Sequence, residues 1–118
     1  MYKFKFDTSK MSWTKTAIIN NDSGLTKLVI KFTDTNYFNN VLPILKNLVN
    51  INYRLVLSRK NDKSSWDLNL IRLVGYDLVE QKFTGNPSKE NNYIECVVLE
   101  GANWVTELSN YNIHLIYS

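Results

Sequence analysis

Apolar and polar residues alternate with period two in run after run of this chain, and that pattern confines it to half-buried β-strands. Tyr2, Phe4 and Phe6 share one face of the first run, with Lys3 and Lys5 on the other. Leu28, Ile30 and Phe32 alternate with Lys27, Val29 and Lys31. Tyr53, Leu55 and Leu57 alternate with Arg54, Val56 and Ser58. Between the run 13–20 and the run 25–33 stands Asn20-Asn21-Asp22-Ser23-Gly24, a turn cluster that predicts a hairpin. Trp66, Leu68 and Leu70 resume the alternation, but Ile71, Leu73 and Val74 fall on the opposite parity. A bulge or bend near 70–75 accounts for that, with Gly75 inside it. Further strands are expected over 76–84, 93–99 and 112–117, with a turn at Gly85-Asn86-Pro87-Ser88.

One segment breaks the pattern. Phe38, Val41, Leu42, Leu45, Leu48 and Val49 follow helical spacing, and Asp34 or Thr35 can cap the start. A principal helix is therefore expected within about 35–49. Pro43 either kinks it or opens a shorter helix near Leu42. Asn103 can cap a short second helix over about 104–109. The resulting order is βββ-α-ββββ-α-β. Strands in runs with short connections imply a mostly antiparallel sheet, so the fold class is α+β. A chain of 118 residues is read as a single domain, 1–118.

No stretch approaches the roughly 20 apolar residues of a spanning helix, and the first residues lack the apolar core of a signal peptide. An intracellular, cytoplasmic protein is expected, with no membrane partner. Cys96 is the only cysteine, which rules out an internal disulfide. Sixteen asparagines, and eleven lysines against three arginines, fit an AT-rich genome such as that of a phage or mobile element.

Catalytic chemistry has little to build on. The one histidine, His114, sits between Ile113 and Leu115 without an evident orienting partner. Cys96 lies among Ile94, Glu95, Val97 and Val98, surroundings that raise a thiol pKa. A Cys96–His114 dyad needs the last strand to pair beside 93–99. One histidine and one cysteine cannot make a zinc site, and the four glycines form no phosphate loop. The chain is accordingly read as non-enzymatic, without cofactor or metal. A small-ligand pocket made from scattered Tyr, Asn and Asp is the minor reading.

Charge gives the stronger lead. Residues 1–59 carry nine cations and three acids, whereas residues 60–118 carry five cations and eight acids. If the first three strands share one sheet, Lys3, Lys5, Lys15, Lys27 and Lys31 can occupy one solvent face with Trp13 as an anchor. Arg54, Arg59, Lys60 and Lys63 form a secondary basic loop. Trp66 and Trp104 are candidate interface aromatics. This pattern fits a small inhibitor that blocks a host macromolecule by occupying an acidic surface, protein ahead of nucleic acid. Nucleic-acid binding by the same face is the alternative. A third reading is a self-assembling phage structural component, in which opposite-charged halves meet head to tail.

Overall fold

A computed structural model of the chain describes residues 1–17, 24–99 and 108–118. Among these residues the strands are β1 (Tyr2–Lys5), β2 (Met11–Ala17), β3 (Leu25–Phe32), β4 (Tyr53–Arg59), β5 (Ser65–Asp67), β6 (Asn69–Leu73), β7 (Tyr76–Asp77), β8 (Lys82–Phe83), β9 (Tyr93–Leu99) and β10 (Tyr111–Tyr117). The principal helix, α1 (Thr35–Asn47), lies between β3 and β4. The fold is α+β, and the strand pairings are antiparallel.

Two sheets form. One has four strands in the order β1-β10-β4-β5, and the other has six in the order β2-β3-β9-β6-β7-β8. Their apolar parities meet in one core. Leu55, Leu57, Ile113 and Leu115 come from the first sheet, and Leu28, Ile30, Ile94 and Cys96 from the second. Phe38, Val41 and Leu45 of α1 join them. Tyr111 is the largest fully buried side chain. Trp13 of the six-stranded sheet and Trp66 of the four-stranded sheet both pack on it, with ring centroids 5.2 and 6.4 Å away.

The expectation that the first three strands share one sheet is corrected. β1 pairs with β10, whereas β2 pairs with β3. The cause lies between β1 and β2. The Asp7 carboxylate accepts from the Ser9 N–H at 3.1 Å and caps a 3-10 turn, Thr8–Lys10, which carries the chain from one sheet to the other. The helix starts early, at Thr35, with the Asp34 carboxylate accepting from the Tyr37 N–H at 2.9 Å. It runs through Pro43, which lies on the exposed side, where water can serve the carbonyl that proline leaves without a donor.

The bulge expected near 70–75 is present, between Leu70 and Arg72 opposite β9. The single strand expected over 76–84 divides into β7 and β8. Asp77 turns the chain by accepting from the N–H groups of Val79 and Glu80, both at 2.9 Å, and Gln81 takes φ 57°. The expected helix over 104–109 lies outside the described residues, except that Leu108 and Ser109 open a 3-10 turn, Leu108–Asn110. Trp104 also lies outside them.

The turn before β7 is tightly determined. Val74 has φ 42°, an unfavourable region for a β-branched residue, and is held by burial and by its N–H donating to Tyr93 O at 3.0 Å. Gly75 follows at φ 86°, and a Cβ there would run into the Gly85 carbonyl oxygen. A Cβ on Gly85 would meet only the movable Asn91 side chain. Gly75→Ala is therefore expected to cost more than about 1 kcal/mol. Gly85→Ala should cost clearly less, and urea denaturation of the two variants compares them directly.

Candidate functional site on the outer face of the four-stranded sheet

Residues opposite each other in a ladder share a face. Lys15 lies opposite Leu28, and Trp13 opposite Ile30. Both Leu28 and Ile30 are fully buried, so Lys15 and Trp13 take the parity that faces the core. Trp13 is half-buried against Tyr111, so it joins the two sheets rather than forming a surface anchor. Trp66 shares that role, with the Arg59 guanidinium 5.4 Å from its ring centre.

Lys27 and Lys31 take the outer parity of the six-stranded sheet, opposite Val97 and Tyr93. Lys27 is already engaged, with its Nζ 2.7 Å from Glu95 Oε1. Glu95 in turn accepts from Arg72 Nη1 at 2.9 Å, and Arg72 Nε lies 3.3 Å from Asp77 Oδ2. Lys3 and Lys5 belong to the other sheet, on the outer parity of β1. The five lysines therefore do not gather on one solvent face with Trp13: Lys15 shares Trp13's inward parity, and the other four divide between the outer faces of two sheets.

The opposite-charged halves are also interleaved rather than separated. Each sheet contains strands from both halves of the chain. On the six-stranded sheet, Lys27 of the basic half meets Glu95 of the acidic half. The head-to-tail argument for self-assembly loses its basis there.

On the four-stranded sheet Lys3 and Lys5 are not compensated in this way. Lys3 lies opposite Ile116, and Lys5 opposite His114. Strand β10 contains no acidic residue. Beyond it on the same face, β4 offers Arg54, Val56 and Ser58. The carboxylate of Asp67 on β5 is held by Arg54 Nε at 2.6 Å. No described carboxylate lies within ion-pairing distance of Lys3, Lys5 or Lys60. Lys60 lines a shallow hollow with Lys5 and Asn112, its backbone N–H donating to Asn110 O at 3.0 Å. Asp7 borders the same hollow, but its carboxylate is engaged by Ser9.

His114 is half-buried at the middle of this face. Burial, and then the charges of Lys3 and Lys5, hold its pKa below the ordinary value. The rest of the basic loop is partly committed. Arg59 bonds Tyr111 and lies 3.4 Å from Asp62, whereas Lys63 is exposed. The cationic neighbours of His114 come from β1, more than a hundred positions away in the chain, so no local signal in the sequence brings them together.

Cys96 and His114 cannot form a dyad. Cys96 faces the core of the six-stranded sheet opposite Leu28 and Leu70, while His114 faces outward on the other sheet. Burial, with the charge of Glu95, pushes the thiol up to about 12. Among the described residues no group of three or more His, Cys, Asp or Glu could hold a metal ion, and no helix is long and apolar enough to cross a membrane. A separate apolar cleft of about 290 Å³ lies between the end of α1 and β7–β8, lined chiefly by Leu45, Val49, Leu73, Val74, Tyr76 and Phe83. Lys46 is its one charged wall residue.

Comparison with family models, curated proteins and solved structures finds no match for this chain.

Two measurements test the chemistry of these groups. Native Cys96 should react with iodoacetamide far more slowly than a free thiol at neutral pH, and denaturation should release it. The second concerns Glu95. Burial opposes its ionisation, but hydrogen bonds from Lys27 and Arg72 outweigh burial and hold its pKa below the usual carboxylate value. A depressed carboxylate contributes stability above its unfolded pKa and loses it as pH falls through the folded one. Arg72→Gln should therefore be less stable than wild type at pH 7, and chemical denaturation should show the gap narrowing below about pH 4.

Proposed function

We propose that this chain is a non-enzymatic binding protein that docks the outer face of its four-stranded sheet on an acidic protein surface and acts by occupying it. The observation that carries this reading is the placement of Lys3 and Lys5 beside a strand without a carboxylate. Elsewhere, Lys27 is used internally by Glu95, and Arg54 by Asp67. Lys3, Lys5 and Lys60 are left to attract an external anion, and a patch of one sign speeds association with a complementary surface.

Lysine suits this task better than a base-reading one. Its ammonium acts as a point charge and lacks the planar fork with which arginine reads guanine edges. Residue usage favours a phage or mobile-element accessory factor as the setting, acting in the host cytoplasm as an inhibitor. No cofactor is needed for occupancy of this kind.

The test uses fluorescence anisotropy with a labelled poly-glutamate peptide and, separately, with labelled single- and double-stranded DNA and RNA, each at two salt concentrations. The expected result is salt-sensitive binding of poly-glutamate. The double variant K3E/K5E should lower its association rate by about tenfold at low salt, whereas K31E should change it little. Salt-steep binding of nucleic acid that is lost in the same double variant would replace this reading with the phosphate one. No binding of any probe at low salt would overturn both.

A further inference from the structure

The placement of the single histidine extends that reading to a defined site. We propose that His114, Lys3 and Lys5 together form one carboxylate-docking site for the acidic protein partner, and that docking draws a proton onto the imidazole. The inference rests on the docking function proposed for this face.

The register builds the site. Lys5 lies directly across the ladder from His114, and Lys3 lies across from Ile116, two positions along the same face. Side chains directly opposite and diagonal in an antiparallel pair are within reach of one another. On the other flank His114 faces Val56, an apolar residue that supplies neither charge nor hydrogen bond. The nearest charged groups on that flank are Arg54, opposite Ile116, and Asp67, opposite Val56. These two neutralise each other through their 2.6 Å contact. Lys60, beside Lys5 and Asn112, adds a further cation at the margin. Among the described residues the charges that act on the imidazole are those of Lys3 and Lys5, while the Asp7 carboxylate, at the margin of the hollow beside Lys5, is turned to Ser9.

That arrangement has a direct consequence. In the free protein burial, and then the two ammonium groups, oppose protonation of His114. A carboxylate placed among them cancels their field and favours the imidazolium. The protonated ring then contributes a third cation and an N–H donor, making a charge-assisted hydrogen bond to the docked oxygen. Binding and proton uptake are reciprocal, so the partner's affinity must rise as pH falls toward the imidazole's range. The strands are fixed by pairing on both sides of β10, so the three groups are already assembled before docking.

One experiment reads this without assigning resonances, because the chain has one histidine. The imidazole signals are titrated by NMR between about pH 5 and pH 8, with and without saturating poly-glutamate. Poly-glutamate anisotropy is measured over the upper part of that range, at pH 6 and pH 8, where the probe stays ionised. The expected result is an upward movement of the His114 titration on binding. About three- to tenfold tighter association should accompany it at pH 6 than at pH 8, a change no larger on a logarithmic scale than the movement of the imidazole titration. In K3Q/K5Q without ligand, the imidazole should titrate at higher pH than in wild type. In H114Q the affinity should no longer change over that range. Salt-sensitive binding of poly-glutamate that is independent of pH, with an unmoved imidazole titration, overturns the role of His114 and leaves the docking face standing. Absence of binding of both poly-glutamate and a short single-stranded DNA at both pH values overturns the docking face as well. Binding of a short single-stranded DNA, but not of poly-glutamate, with the same imidazole movement overturns the choice of carboxylate over phosphate.

Discussion

The insertion of the last strand between the first and the fourth is the contact on which the rest of this structure depends. Strand β10 pairs with β1 on one side and with β4 on the other, in continuous register from Tyr111 to Tyr117 along β4. Without it, β1 has no neighbour and the four-stranded sheet has no centre. The same strand delivers Tyr111 to the core, where Trp13 and Trp66 close on it from the two sheets. Its opposite parity delivers Asn112, His114 and Ile116 to the outer face. One strand thus fastens the core on one side and assembles the basic face on the other, because successive side chains in a strand point to opposite faces. Contacts between the two ends of a chain are entropically the most distant to make, so the basic face should be among the last parts to assemble.

Charge follows the same topology. The imbalance between the two halves of the sequence is large, but it describes the chain and not the surface. Where a basic-half strand pairs beside an acidic-half strand, the charges meet and cancel, as Lys27, Glu95, Arg72 and Asp77 do across β3, β9, β6 and β7. Glu95 and Asp77 are almost fully buried, and a buried carboxylate needs such partners to stay ionised. Strand β1 escapes cancellation because β10, its neighbour among the described residues, carries no acidic side chain. The useful charge on this molecule is therefore local and set by who pairs with whom.

The local pattern of the fold was legible in the sequence, and its long-range pairing was not. Alternation placed β1, β3 and β4, and helical spacing with Asp34 placed α1. The parity change around Leu70 announced a real bulge. These signals act over a few residues. By contrast, 76–84 reads as one strand because its composition is suitable, whereas the Asp77 side chain breaks it into two. The assignment of β1 to a separate sheet depends on a capped turn at Asp7 and on a partner at the far end of the chain. Alternation also gives a residue's parity without saying which parity faces the core. Trp13 and Lys15 were correctly read as sharing a face, but pairing with Ile30 and Leu28 turns that face inward. The same ambiguity hid His114, whose position is unremarkable until β1 is laid beside it.

Rigidity and charge type together decide what this face can do. The lysines are long and flexible, yet their Cα positions are fixed by a four-residue ladder with β10. Such a face attracts an anionic surface over a distance of about a Debye length, roughly 8 Å at physiological salt, and tolerates small differences in the partner's geometry. Attraction of that kind is weakly selective by itself. His114 changes the balance because its imidazole is shorter, half-buried and restricted in direction. In the proposed docking it favours an oxygen at one place on the face rather than anywhere among the lysines, and most strongly in its charged form. In that proposed docking, the two lysines govern approach while the imidazole governs register. The division follows from a single pairing, Lys5 opposite His114, that no stretch of the sequence contains by itself.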